Sequence, residues 1–296
     1  MQDLSAKAHR IVFICTVLFV TISCQSTATE KISPEDSDGI PGTGIRIFEP
    51  DYGAELTEDT KFIFIRLYEP YYRNLFSAGR FLERCINMVE VNPVNASHSA
   101  IGFSLEDTFY GLTHYGKYQL GIEQCMDTSS SEYMSQCDPE KSFQITYALA
   151  VPAEEYEKAQ KMVNSYLYSS EIHYSVEMNF AIANYSIKRK FFTADEQKKL
   201  GAIPHEKSEI LEGQDNFVCS SFISYILINS TESIKNFFAE KHLDYNYIIP
   251  TDLGELPGVT KLFSSDWNEY GAAAEEFASR NPEFRPYILE SHLESD

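Results

Sequence analysis

Asn216-Phe217-Val218-Cys219-Ser220-Ser221-Phe222-Ile223-Ser224-Tyr225-Ile226-Leu227 is the stretch on which the fold turns. Cys219, Phe222, Ile223 and Ile226 recur at helical spacing, and Asp215 or Asn216 stands where a helix cap belongs. The pattern predicts an amphipathic helix with Cys219 in its opening turn. Unpaired backbone N–H groups and the positive end of the helix dipole favour thiolate over thiol there, which turns a weak nucleophile into a useful one. The competing reading makes Cys219 a small hydrophobe on the buried face.

A nucleophilic thiol needs a base, and the base is most often a histidine held by a third polar group. His98 stands out among the seven histidines. It lies in Ser97-His98-Ser99-Ala100-Ile101-Gly102-Phe103-Ser104-Leu105, whose alternation predicts a strand with His98, Ala100 and Gly102 on one face and Ile101, Phe103 and Leu105 on the other. A turn at Glu106 and Asp107 leads to a second strand over 108–115, so the two read as a hairpin carrying Thr113 and His114. Either of these is placed to orient His98. A hydrogen-bonded core histidine is the alternative for His98, and a surface position the alternative for His114.

The remaining elements follow in order. Residues 61–67 have the β-branched and aromatic character of a buried strand, and 74–89 show helical spacing that puts Cys85 in the core. Residues 143–151 alternate as a third strand, and Pro152 opens a helix running to about residue 167 with acids in its first turn. Residues 172–174 read as a short extended piece, 177–190 as mixed helix and 193–215 as a charged surface excursion. Pro250-Thr251-Asp252-Leu253 starts a turn or short helix, and 259–263 is a further strand. The acidic segment from 271 to 296 reads as a helical tail.

The chain of 296 residues is long and apolar enough for one large domain, and its net charge of −20 repels phosphate backbones, so nucleic acid is not expected as a partner. The six cysteines form neither a CxxC pair nor zinc-like Cys/His spacing, so neither a structural metal nor a cofactor is implied. Cys125 and Cys137 flank a polar segment and could close a loop by disulfide in an oxidising compartment; two free thiols are the alternative. GxSxG, phosphate-loop and HExxH patterns are absent from the sequence.

At the N-terminus, Lys7 and Arg10 precede an apolar run over 11–22 with the length of a signal h-region. Thr21-Ile22-Ser23-Cys24 resembles a bacterial lipobox, which implies that Cys24 is lipidated and becomes the mature N-terminus. Thr21 departs from that pattern, leaving ordinary cleavage or an uncleaved anchor as alternatives. The expected organisation is a signal peptide over 1–23, a flexible tether over 24–44 rich in Ser, Thr, Pro and Gly, a folded domain over 45–270 and the tail.

The order of these elements resembles the circularly permuted papain-like hydrolases of the NlpC superfamily, including YiiX-like proteins and, distantly, lecithin retinol acyltransferase. The residues that carry the likeness are Ser97-His98-Ser99-Ala100-Ile101, Phe109-Tyr110-Gly111-Leu112, Tyr174, Phe217-Val218-Cys219-Ser220-Ser221-Phe222-Ile223 and Pro250-Thr251-Asp252-Leu253. The resemblance implies an α+β fold whose central antiparallel sheet packs against the Cys219 helix. It implies Cys219 as nucleophile, His98 as general base, and Tyr174 lining the cysteine pocket, where its hydroxyl and the Cys219 N–H stabilise an oxyanion. The expected activity is that of an exported, membrane-anchored cysteine hydrolase of the cell envelope. Its substrate would be a cell-wall peptide amide or a lipid acyl ester or amide. The rival expectation is a catalytically silent surface lipoprotein that binds a glycan, peptide or lipid on the same scaffold.

Overall fold

The computed structural model describes residues 38–40, 43–53, 55–69, 71, 96, 98–105, 109–112, 137–167, 172–175, 182, 216–241 and 243–288. Its centre is strand β3 (Thr60–Glu69), which pairs antiparallel with β5 (Phe143–Pro152) over ten residues on one side and with β4 (His98–Gly102) on the other. Beyond β5 lie β8 (Val259–Asp266), β2 (Arg46–Ile47) and β1 (Asp38–Gly39), giving a six-stranded sheet of order β1-β2-β8-β5-β3-β4. The molecule is α+β with an antiparallel sheet. Both faces of β3 are covered, which is why its sequence is almost continuously apolar rather than alternating apolar and polar.

One face of the sheet presents Ile63, Ile65, Leu67, Ile145 and Ile101 to α1 (Ala153–Leu167), α2 (Cys219–Ser230) and α3 (Glu232–Lys241). The other presents Phe62, Phe64, Tyr68, Ala100 and Ala148 to Trp267, α5 (Tyr270–Arg280) and Phe284. A short helix α4 (Pro250–Leu253) precedes β8, and a small parallel pair, β6 (His173–Tyr174) with β7 (Asn216–Phe217), feeds the chain into α2.

Helix α2 is the hub of the first layer, and it is buried on every side: Asn229 alone among its residues escapes full burial. The amphipathic pattern expected from its sequence therefore gives way to a central helix. Four serines make this possible by returning their hydroxyls to backbone carbonyls. Ser221, Ser224 and Ser230 donate to Val218, Ser220 and Ile226 O at 3.2, 2.9 and 2.7 Å, and Ser220 donates to Ile248 O.

Two boundaries differ from expectation. The tether expected through residue 44 ends sooner, because Asp38 and Gly39 pair with Ile47 and Arg46 around a turn closed by Ile40 N–H to Ile45 O at 3.1 Å. The segment read as an appended tail is helical through 280 but is no appendage. Its Ala273, Ala274 and Phe277, with Phe284 beyond, cover the second face of the sheet, and the Phe284 ring lies 4.4 Å from that of Phe62. Glu275 and Glu283 lie on the solvent side of this packed layer. The expected hairpin is present as a single bridge between Ile101 and Tyr110. The signal segment with Cys24, the helix expected over 74–89, Thr113 and His114, Cys125, and the excursion over 193–215 lie outside the described residues. Among the described residues no helix is long and apolar enough to cross a membrane.

Candidate active site around Cys219

Cys219 occupies the first position of α2. The residue before it, Val218, is extended (φ −110°, ψ 173°), so the helix begins abruptly from β7; the expected cap by Asp215 or Asn216 gives way to Asn216 pairing in β7. A valine side chain cannot accept from the first turn. The contact that a cap would make runs the other way, Val218 N–H to Ser221 Oγ at 2.9 Å. First-turn N–H groups of α2 are thereby left for other acceptors.

The sulfur of Cys219 takes that place. The thiol is buried, with 7% exposure, and the N–H groups of Ser99, Ser220 and Cys219 itself act on the sulfur in the direction of ionisation. The geometry of β4 explains the first of these. Ile101 uses both its N–H and its C=O on Tyr110, at 2.8 and 2.7 Å, on the side of β4 away from β3. By the two-residue period of the strand, the Ser99 N–H points to that same outer edge, and it favours the charged form of the Cys219 sulfur.

These donors do not win. Burial pushes the Cys219 thiol above its ordinary value, and the N–H groups of Ser99, Ser220 and Cys219 with the Ser99 hydroxyl only partly offset it. The expectation of a thiol lowered by the helix start is corrected in direction: desolvation of a buried sulfur outweighs the dipole and the amides. Burial thus favours the neutral thiol at Cys219, and a base is what would make it a nucleophile.

His98 does not figure among the groups acting on the sulfur. In register with Tyr68, it lies on the face of β4 that carries Ala100, and its ring centroid is 5.5 Å from that of Tyr68. Ser99, in register with Leu67, lies with Ile101 on the face of β4 turned toward α2. The imidazole is nonetheless boxed in closely. A Cβ on Gly111 would stand 3.2 Å from His98 Nε2, 3.0 Å from Ser99 O and 3.3 Å from Ala100 Cβ, so the segment 109–112 lies directly over this end of β4. On the same face the Arg66 guanidinium is stacked between the rings of Phe109 and Tyr270, at 3.8 and 3.5 Å, and its Nη1 is 3.4 Å from Tyr68 Oη.

Tyr174 is brought close to the cysteine. It is in register with Phe217, and its half-buried side chain packs with Val218, Ile249 and Tyr247. The Pro250-Thr251-Asp252-Leu253 turn arrives at the same place: Ser220 Oγ donates to Ile248 O, and the Asp252 carboxylate accepts the Ile249 N–H at 3.1 Å, fixing the start of α4. Three stretches singled out in the sequence, at 98–101, 217–223 and 250–253, thus come together near the head of α2 with Tyr174 beside them, and 109–112 packs over the end of β4.

Two residues escaped the sequence reading. Ser99 was overshadowed by its neighbour His98, although strand alternation alone says that one of the two faces the helix. His173 is the other: β6 sets its backbone beside Asn216, three positions ahead of Cys219. Its proximity in sequence to Tyr174 was the available signal. Of the two cysteines that could close a loop by disulfide, Cys137 is fully buried under the second face and Cys125 lies outside the described residues. No group of three or more His, Cys, Asp or Glu among the described residues could hold a metal ion. Comparison with known proteins finds no matching family, no matching curated protein and no matching solved structure.

Proposed function

We propose that this chain is a cysteine hydrolase of permuted papain-like build, exported to the cell envelope and held at the membrane through a lipid on Cys24. The observation that carries the reading is a buried sulfur at the first position of a buried helix, where the N–H groups of Ser99, Ser220 and Cys219 favour its charged form. Such donors stabilise negative charge on sulfur, and on a carbonyl oxygen when a substrate displaces the sulfur from them.

In the proposed cycle Cys219 Sγ attacks a carbonyl carbon, forming a C–S bond, while its proton passes to His98. Collapse of the tetrahedral intermediate breaks the C–N or C–O bond, and His98 returns the proton to the leaving amine or alcohol. Water then attacks the thioester, gives its proton to His98, and releases the acid and the thiol. A thiol that burial favours in its neutral form needs a base. For His98 to be that base, its ring must turn from the Tyr68 face toward the outer edge of β4 as substrate binds. Tyr174 is assigned to the wall of the acyl pocket, and His114 or Thr113 to the orienting of His98. The substrate classes are a cell-wall peptide amide or a lipid acyl ester or amide.

Turnover of one substrate of each class by wild type, Cys219→Ser and His98→Ala tests this. Loss of activity in both variants is expected; wild-type turnover in both variants would end the enzyme reading. A second reading, a silent scaffold that binds a glycan, peptide or lipid, draws on the placement of His98 on the face away from α2. It expects no turnover from the wild type and retained ligand binding in Cys219→Ser.

A further inference from the structure

We propose that Ser99 is the positioning residue of Cys219, holding the ionised sulfur with its hydroxyl as well as its N–H and so setting the pH at which the thiol reacts. The inference deepens the hydrolase reading and rests on it only for its consequence in turnover.

Three observations converge on it. Ser99 is wholly buried, and its Oγ meets no partner with good hydrogen-bonding geometry. An orphaned hydroxyl in such a place is costly unless some state of the protein uses it. The parity of β4 puts the Ser99 side chain on the sheet face that packs against α2 and its N–H on the outer edge of the strand. The hydroxyl also acts on that sulfur in the direction of ionisation, alongside the Ser99 N–H. A neutral thiol is a weak acceptor, so the O–H contact is loose in the resting state; a thiolate is a strong acceptor and draws the hydroxyl in.

No charge competes for this role among the described residues. The ionisable groups nearest the head of α2 on the elements packed against it include His98 on β4, Tyr166 on α1, Tyr174 and Tyr247 beside Val218, Asp244 and Tyr245, and Asp252 on α4. None of them acts on the sulfur. The donors of Ser99, Ser220 and Cys219 are what favours the charged form, and of these the Ser99 hydroxyl is the one that a substitution removes without touching the backbone.

The test is the pH profile of Cys219 alkylation by iodoacetamide, read on the Cys219 peptide by mass spectrometry, in full-length wild type, Ser99→Ala and Ser99→Thr. Each variant is first matched to wild type by circular dichroism, and Ser99→Gly replaces Ser99→Ala if the latter fails to fold. Loss of the hydroxyl should shift the profile upward by about one pH unit, an about tenfold slower reaction at any pH below the titration. Ser99→Thr, which keeps the hydroxyl, should restore it. A Ser99→Ala profile superimposed on wild type overturns the proposal, as does a shift that Ser99→Thr leaves in place, since that marks packing rather than the hydroxyl. The two readings separate cleanly. A Ser99-dependent shift in a protein without turnover sinks the hydrolase and keeps Ser99, whereas turnover lost in Cys219→Ser with an unshifted Ser99→Ala profile does the reverse.

Discussion

Adding one methyl group at Gly111 probes the end of β4 that carries Ser99 and His98. The new Cβ would lie 3.0 Å from Ser99 O, 3.2 Å from His98 Nε2 and 3.3 Å from Ala100 Cβ, all inside the about 3.5–4.0 Å optimum for such contacts. The first of these atoms is backbone, so β4 must shift by a few tenths of an ångström and carry Ser99 and His98 with it. Overpacking of this kind costs about 1–3 kcal/mol. Misplacing catalytic groups by about 1 Å costs about a hundredfold in rate, so the smaller shift should lower kcat/KM on the order of tenfold. Gly271→Ala is the matched control. Nothing lies within 4 Å of its added Cβ, and it sits exposed in α5, where alanine should stabilise by up to about 1 kcal/mol. Urea denaturation and turnover of both variants make the assay. If Gly111→Ala is as stable and as active as wild type, segment 109–112 does not pack on this end of β4 as described and the reasoning fails.

Further outcomes are expected. Phe284→Ala should cost about 3–5 kcal/mol in chemical denaturation, because its ring is wholly buried against Phe62, Phe277 and Phe64, and removal of 271–296 should prevent folding; a stable truncated chain would restore the tail interpretation. Stability should fall as pH rises above about 8.5, the ordinary cysteine value, since the unfolded chain then releases a proton that the buried Cys219 thiol keeps. The contribution is intact below that pH and lost above it, and Cys219→Ser should flatten the fall between about pH 8.5 and 10 in urea titrations. Above about pH 10 the decline should steepen in wild type and variant alike, because burial first and Asp244 second push Tyr245 up to about 12, and burial holds Tyr147 higher still. Replacing Arg66 by lysine should destabilise measurably despite the conserved charge, because an ammonium cannot stack flat between Phe109 and Tyr270.

Local pattern reaches far into this fold. Strand β3, strand β5, the helix opened by Pro152 and the strand ending at Asp266 each follow from periodicity and from a proline placed where a helix starts. The serines of α2 show where pattern stops. They count as polar in any periodicity, yet each bonds a backbone carbonyl, so the helix is buried all round. His98 and Ser99 show the same limit in the site. Alternation separates them onto two faces, but only the long-range packing of α2 says which face meets the cysteine. The thiol's protonation was likewise beyond reach, because the helix start argues for ionisation and only three-dimensional burial reveals the larger opposing effect. The segment after 270 misled through composition: Glu275 and Glu283 mark the solvent side, and alanines too small to announce a core, with two phenylalanines, carry the packing.

The central claim is that Cys219 forms a covalent acyl-enzyme. Intact-mass and peptide mapping of wild type quenched in acid during turnover of an activated acyl substrate tests it most directly. The account predicts an acyl adduct on the Cys219 peptide that disappears in Cys219→Ser and accumulates in His98→Ala if deacylation is slowed more than acylation. Turnover with no adduct on Cys219, or with an adduct on another residue that survives Cys219→Ser, would contradict it.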